Sequence, residues 1–338
     1  MTPENAPLTP QLVFEVMTAF QRSAALKSAI ELDVFTRIAE GNKTTAAIGE
    51  ACGAAERGIR ILCDTMTVMG FLTKQGNEYG LSDVAAMFLN RQSPAYLGAS
   101  IDFLMSDKQM SGFADLTAAV KQGGSTVKEE GSLDPESPMW VKFARGMTGM
   151  MFPSAQFMAQ ALGFEPDRKF KVLDIAAGHG IFGIMAAQKY PGAEIYAADW
   201  ANVLTVAQEN AEKFGVADRY HQITGSAFEA DLGSGYDVIL VTNFLHHFDK
   251  QTNETFLKKI HSALADDGQV WTLEFVPNDD RVSPPMEANF ALVMLAATPA
   301  GDAYTFAELK EMFENAGFTK NEHRAMPGMP QHWIVSGK

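Results

Sequence analysis

The apolar positions of this chain follow one rhythm in its first part and another beyond residue 170. Thr9–Ile30 carries Leu12, Val13, Val16, Met17 and Phe20 at helical intervals, with Thr9 as cap and Pro10 in the first turn, and predicts a long helix. Thr44–Cys52 and Glu56–Met69 predict two more helices, separated by Gly53. Phe71–Lys74 and Glu78–Leu81 read as two short strands around Gln75-Gly76-Asn77. Helix, helix, hairpin is a winged-helix pattern. The segment Gly123–Pro138 is a polar loop rich in turn residues, and Trp140–Leu162 is an apolar helical stretch full of Met and Phe.

From Lys171 strands and helices alternate. The strand-like runs are Lys171–Ile175, Glu194–Asp199, Tyr220–Thr224, Tyr236–Thr242 and Gln269–Phe275, with a last one at His332–Ser336. Helical runs at Ile181–Lys189, Asn202–Phe214, Asn253–Leu264 and Thr305–Ala316 fill the gaps. This alternation predicts a parallel sheet with helices on both faces. No internal repeat is visible.

Composition narrows the classes. The 338 residues are enough for two domains, and 46% apolar content can fill their cores. A net charge of −14 argues against wrapping nucleic acid or anionic membrane, because both reward excess Lys and Arg. Two cysteines, Cys52 and Cys63, lack disulfide-framework and metal-ligand spacing and fit a reducing cytosol. The N-terminus is polar and Pro-rich rather than signal-like, and no apolar run spans a membrane, so a cytoplasmic protein is expected.

The chemistry is concentrated in Lys171–Trp200. A strand enters the small-residue turn Ala176–Gly180, a helix follows, and the next strand ends in Asp199. Gly178 and Gly180 let the backbone approach a ligand, and an acid at the end of the second strand is placed to bind two ribose hydroxyls. Dinucleotide folds carry G-x-G-x-x-G. Here Asp174 within the strand, followed by Ala176-x-Gly178-x-Gly180, matches instead the acid plus G-x-G-x-G of methyltransferases that use S-adenosylmethionine (SAM), with Ala176 for the first glycine. Asp174 then helps to position the amino-acid end of SAM; its plainer use is to cap the turn. Trp200 can pack on adenine or simply fill the core. Gly225-Ser226-Ala227-Phe228 follows the third strand, where the edge of adenine is met. Asn243-Phe-Leu-His246-His247-Phe-Asp249 follows the fourth, where the methyl group should lie, and Asn243 joins the expected cofactor contacts.

With these motifs the chain resembles the two-domain class I SAM-dependent O-methyltransferases of small molecules, a group with plant caffeic-acid, hydroxyindole and bacterial polyketide enzymes. The resemblance covers nearly the whole chain, including ELDVFTRI, ERGIRILCDTMTVMGFL and YGLSDVAAMFL near the N-terminus, and is tightest from Val172 to Phe275. It implies a Rossmann-like α/β domain with a mostly parallel seven-stranded sheet, preceded by a mainly helical winged-helix domain that forms a homodimer. The implied division is 1–100 for dimerisation, 101–165 for a helical linker and pocket region, and 166–338 for the SAM-binding catalytic domain. The family's L-H-D-W motif aligns with Leu245-His246-His247-Phe248, which gives His246 the general-base position and Glu274 of WTLEFVP the supporting acid. A further acid of plant members is replaced by Ala303, beside Asp302, and Ser226 stands where Asp is frequent. By family position Met147, Met151, Phe290 and Met294 line the acceptor pocket together with His247, although Met at helical spacing also suits plain core.

The implied reaction transfers methyl to a hydroxyl of an aromatic or polyketide-like small molecule and leaves S-adenosylhomocysteine (SAH). A phenol has a pKa near 10, so a neutral His within reach can remove its proton during attack. Because Ala303 replaces an acid, C- or N-methylation with the same cofactor is the alternative. The adjacent histidines His246 and His247 with Glu274 do not have usual metal-ligand spacing, so no metal is expected. A winged-helix DNA regulator is disfavoured: residues 1–100 hold eight cations against ten acids, and Glu56–Met69 offers only Arg57 and Arg60. An inactive SAM-binding homologue is the remaining reading.

Overall fold

The computed structural model describes residues 8–126 and 137–338, so most of the loop expected at 123–138 lies outside the described residues. The chain divides into two compact units, Met1–Ile101 and Asp102–Lys338.

The first unit contains α1 (Gln11–Glu31), α2 (Val34–Ala39), α3 (Thr45–Cys52), α4 (Glu56–Val68), the antiparallel hairpin β1 (Leu72–Gln75) and β2 (Glu78–Leu81), and α5 (Asp83–Phe88). Thr44 caps α3 by accepting from the Ala47 amide, as its position before the helix dictates. Helix α1 departs from expectation at its start: Pro10 is the N-cap, without a side-chain bond, and Thr9 lies outside. Its apolar stripe does not face a core in this chain. Leu12, Val13, Val16, Met17 and Phe20 are 59–70% exposed.

The second unit begins with short helices, α6 (Ile101–Leu104) at the junction, α7 (Asp107–Ala114) and α8 (Leu116–Gln122), then the long α9 (Pro138–Ala161). Strands and helices then alternate: β3 (Phe170–Ile175), α10 (Ile181–Lys189), β4 (Ala193–Asp199), α11 (Ala201–Lys213), β5 (Tyr220–Thr224), β6 (Tyr236–Thr242), α12 (Lys250–Ala263), β7 (Leu264–Glu274), α13 (Pro285–Ala297), α14 (Phe306–Asn315), β8 (Lys320–Ala325) and β9 (His332–Gly337). The seven-stranded sheet has the order β5-β4-β3-β6-β7-β9-β8; only β9 runs antiparallel to its neighbours.

The inner strands are apolar on both faces because both are covered. Val172, Leu240 and Trp271 share one core cluster with Met158 of α9 and Ile184 of α10. Leu173, Ile239 and Val270 join Phe256 and Leu257 of α12 and Met312 of α14 in the other. Strand β7 starts five residues before the expected Gln269, since Leu264 pairs with Tyr236 across a register shift. Strand β8 escaped the sequence reading because Lys-Asn-Glu-His-Arg-Ala has no apolar alternation. It is an edge strand, held by backbone pairing with β9 and guarded by charge. Helices α7, α8 and α13 also went unanticipated. The first two are too short to establish a period, and α13 is apolar almost all round.

Candidate active site

The chain crosses from β3 to β4 and β5 on one side and returns to β6 on the other, which opens a crevice at the carboxyl ends of the strands. In the turn after β3, Ala176 has φ +48°, Gly178 +59° and Gly180 +72°. Ala176 thus adopts a left-handed conformation where glycine is the unstrained choice. A Cβ on Gly178 would meet nothing nearer than 3.7 Å, so the space beside it is open. Gly180 is different: its Cβ would come within 2.5 Å of the Tyr220 hydroxyl.

Two acids brace this turn. Asp199 accepts from the Gly178 amide at 2.8 Å and from the Trp200 amide at 2.7 Å; burial pushes its pKa up to about 6, against the pull of both amides. Asp174 is fully buried and accepts from the Gly183 amide at 3.0 Å, which ties β3 to α10. Burial, opposed by that amide, raises its pKa to about 8. Its Oδ1 has no partner among the described residues. A buried, half-satisfied carboxylate beside a turn with room at Gly178 fits a cationic nucleoside cofactor such as SAM. His179 is also buried; burial lowers its pKa to about 4, and its Nδ1 accepts from the Ile181 amide at 3.2 Å. Trp200 is half-buried and packs with Trp140 and Val141 of α9 against Val203 and Val206 of α11.

The Ser226–Ala230 turn docks onto the same strand end, where the Gly225 amide donates to the Asp199 carbonyl at 3.0 Å. Ser226 Oγ accepts from the Phe228 amide at 3.2 Å. Lys259 of α12 donates to the carbonyls of Ala227, Phe228 and Ala230 at 3.0, 2.8 and 2.7 Å. The Phe228 ring lies among Phe244, Phe248 and Phe256, so the turn is coupled to the loop after β6.

That loop, Phe244–Phe248, is fastened on every side. Glu274 at the end of β7 accepts the Phe244 and Leu245 amides on Oε1 at 3.0 and 2.8 Å, and its Oε2 lies 2.5 Å from His246 Nδ1. Asn253 Nδ2 donates to the carbonyls of Leu245 and Phe248 at 2.8 and 3.2 Å, and the Tyr304 hydroxyl donates to Phe248 at 2.6 Å. The backbone of Gly301 is so close that a Cβ there would fall 2.2 Å from the His246 carbonyl oxygen. With Glu274 already accepting two amides, the consistent assignment is Nδ1–H of His246 donating to the carboxylate, which leaves Nε2 as the open lone pair. Among the described residues nothing else holds that nitrogen. The adjacent His247 turns toward Trp140, at 5.9 Å between rings, and its pKa is held well below the usual value by burial and by His246.

Of the residues expected at the acceptor, Phe290 meets the His246 imidazole edge-on at 4.9 Å and stacks on Phe275 at 4.1 Å. Met294 is buried one turn further along α13. Met147 and Met151 belong to the main apolar cluster, and the Met151 sulfur also takes weak contacts from Asn243 Nδ2 at 3.7 Å and Gln331 Nε2 at 3.8 Å. Asn243, at φ +52°, accepts from Gln331 Nε2 at 2.6 Å through its side-chain oxygen. Ala303 is buried, whereas Asp302 accepts from Arg281 at 3.2 Å on the surface and cannot stand in for the missing acid.

Asn253, Lys259, Gln331 and Tyr304 were not legible as site residues. Asn253 alone had a signal: it occupies the apolar stripe of α12 with Phe256, Leu257 and Ile260, where a polar side chain must find partners. The others come from segments far apart in sequence.

A crevice at the carboxyl ends of the first two strands and a buried His–Glu pair at the ends of the fourth and fifth fit a class I methyltransferase that uses SAM. Residues 117–319 match the family model described as O-methyltransferase domain, and residues 14–91 match the O-methyltransferase dimerisation domain. The chain belongs to this O-methyltransferase family. It is 28% identical over 338 residues to the tetracenomycin polyketide synthesis 8-O-methyl transferase of Streptomyces glaucescens, with 97% of each chain covered. A crystal structure of a candidate O-methyltransferase from Nostoc punctiforme is 51% identical, with TM-score 0.94 over 98% of this chain and 100% of that one. Human N-acetylserotonin methyltransferase, solved with SAM, shares the fold at 20% identity, with TM-score 0.86 over 100% of this chain and 99% of that one. Among the described residues no helix is long and apolar enough to cross a membrane, and no cluster of His, Cys, Asp and Glu could hold a metal ion.

Proposed function

We propose that the protein methylates a hydroxyl of a small aromatic or polyketide-like acceptor, with His246 as general base. SAM supplies an electrophilic methyl group on a sulfonium. Asp199 would hold its ribose, Asp174 and the Gly178–Gly180 turn its amino-acid end, and Trp200 and the Ser226–Phe228 turn its adenine. His246 takes the acceptor proton at Nε2 as attack proceeds, and Glu274 fixes the tautomer and stabilises the imidazolium. Phe290 walls the base with an apolar ring, which limits water near the developing charge. The observation that carries this reading is the buried His246–Glu274 pair at 2.5 Å. It is a proton-accepting device, as attack by a neutral hydroxyl requires, and the O-methyltransferase domain match favours oxygen over carbon or nitrogen. The polyketide-type relative supports the acceptor class.

The dimerisation-domain match and the exposed apolar stripe of α1 support a homodimer formed through residues 14–91. The domain limits 1–100, 101–165 and 166–338 are kept as the functional division. A reducing, cytoplasmic location is supported by the two unpaired cysteines.

The test is incubation with SAM and a panel of phenols, naphthols and hydroxyanthraquinones, with products assigned by NMR. Methyl ethers are expected. Products methylated only on carbon or nitrogen would remove the oxygen-acceptor reading.

A further inference from the structure

Glu287 stands in the first turn of α13, is only 6% exposed, and its carboxylate makes no hydrogen bond among the described residues. Its nearest ionisable neighbour, His332 Nε2, lies at 3.7 Å, beyond hydrogen-bond reach. The carboxylate oxygens keep some accessible surface, so water or a ligand can reach them, and closing that access without supplying a donor would be costly. The local uses of an acid at this position are closed. A capping box needs an N–H on the N-cap residue, and here that residue is Pro284. The contrast is Glu308 of α14, which completes a capping box with Thr305. Attraction to the helix dipole explains an exposed acid in a first turn, not one that is 6% exposed and without a protein donor. His332 is no ion-pair partner at neutral pH, since burial lowers its pKa and its Nδ1 is engaged by His323 Nε2 at 2.7 Å.

Two relationships place this carboxylate near the base. Phe290, one turn along α13 on the same face, packs edge-on against the His246 imidazole. His332 pairs directly with Glu274 across β9 and β7, so both project from one face of the sheet, and Glu274 holds His246.

We propose that Glu287 is a specificity-determining residue that accepts a hydrogen bond from a second hydroxyl of the acceptor, separate from the one methylated, so that polyhydroxylated aromatics are preferred. This rests on the oxygen-acceptor reading above. A bound acceptor would displace the water that reaches the carboxylate: a diol replaces it with a donor, whereas a single hydroxyl leaves the carboxylate desolvated, and sites of this kind reject the analogue that lacks the group.

The test compares 1-naphthol with the dihydroxynaphthalene isomers, first as ligands of the SAH-loaded protein by calorimetry, then as substrates by kcat/KM. At least one diol should bind about tenfold or more tightly than 1-naphthol. In Glu287→Leu that preference should shrink to within about twofold, and Glu287→Gln, an acceptor without charge, should fall between. A purely structural role would weaken every ligand alike and lower Tm, leaving the ratio intact. A wild-type protein without preference for any diol, or a leucine variant that keeps it, overturns the proposal. If no methyl ether forms while the binding preference holds and depends on Glu287, the oxygen-acceptor reading falls and the recognition role stands.

Discussion

His246 Nδ1 and Glu274 Oε2 are 2.5 Å apart, and the other oxygen of the same carboxylate holds the two backbone amides that begin the histidine's own loop. One side chain therefore sets both the tautomer of the imidazole and the path of the backbone that carries it. His246→Ala should lower kcat by about 10²–10⁴-fold, with SAM affinity close to wild type. Glu274→Gln can donate where the carboxylate accepts, so it should cost activity and also stability, by about 1–3 kcal/mol. Steady-state rates with denaturant unfolding check both. Turnover by His246→Ala at the wild-type rate would remove that residue from the mechanism.

Without ligand, stability should fall as pH rises from 6.5 to 8. Asp174 has its pKa raised from 3.8 to about 8, so its favourable contribution is complete below pH 3.8 and is lost as pH climbs toward 8. Asp199 acts in the same sense up to about pH 6. His179, lowered from 6.5 to about 4, works oppositely, but only between those values. Above pH 6.5 the Asp174 effect is left, and Tm should decline. A cationic ligand favours the ionised carboxylate, so SAM binding at pH 7 should release protons. Calorimetry in two buffers of different ionisation enthalpy measures this; buffer-independent heats would contradict the placement of SAM beside Asp174.

Gly180→Ala should damage the cofactor turn twice, through φ +72° and through a Cβ 2.5 Å from the Tyr220 hydroxyl. A loss of about 1–3 kcal/mol and weaker SAM binding are expected. The Tyr220 hydroxyl is buried and has no partner among the described residues, so Tyr220→Phe alone should be close to neutral. Combined with Gly180→Ala it should restore part of the loss, since the clash goes and the backbone strain stays. Strict additivity in the double-mutant cycle would show that the two residues do not meet.

Lys259→Met removes three donors from the turn at Ala227–Ala230. The expected result is a several-fold rise in KM for SAM with little change in kcat, because the base loop keeps its own anchors. A kcat defect with normal SAM binding would relocate the role of Lys259 to the base loop.

Met17→Asp with Phe20→Asp places charge on the exposed stripe of α1. Sedimentation should then report monomers where the wild type gives dimers, since an interface core does not tolerate unpaired charge. Dimers that persist unchanged would move the interface off this helix.

The alternation of apolar runs from Lys171 determined the parallel sheet, because strands covered on both faces must be apolar throughout, and the small-residue turn with Asp174 and Asp199 marked the crevice proposed for the cofactor. These features are local: a strand, its turn and the next strand end lie within thirty residues. The exposure of the α1 stripe, the edge strand Lys320–Ala325, and the anchoring of the His246 loop by Asn253, Gly301 and Tyr304 were decided only by tertiary structure. In each case the partner is remote in sequence or is another backbone, and neither leaves a periodic trace. Glu287 shows the limit most plainly. In sequence it is an ordinary acid in a first helical turn. Only the packing of α13 beside His332 of β9 leaves it 6% exposed and without a protein donor.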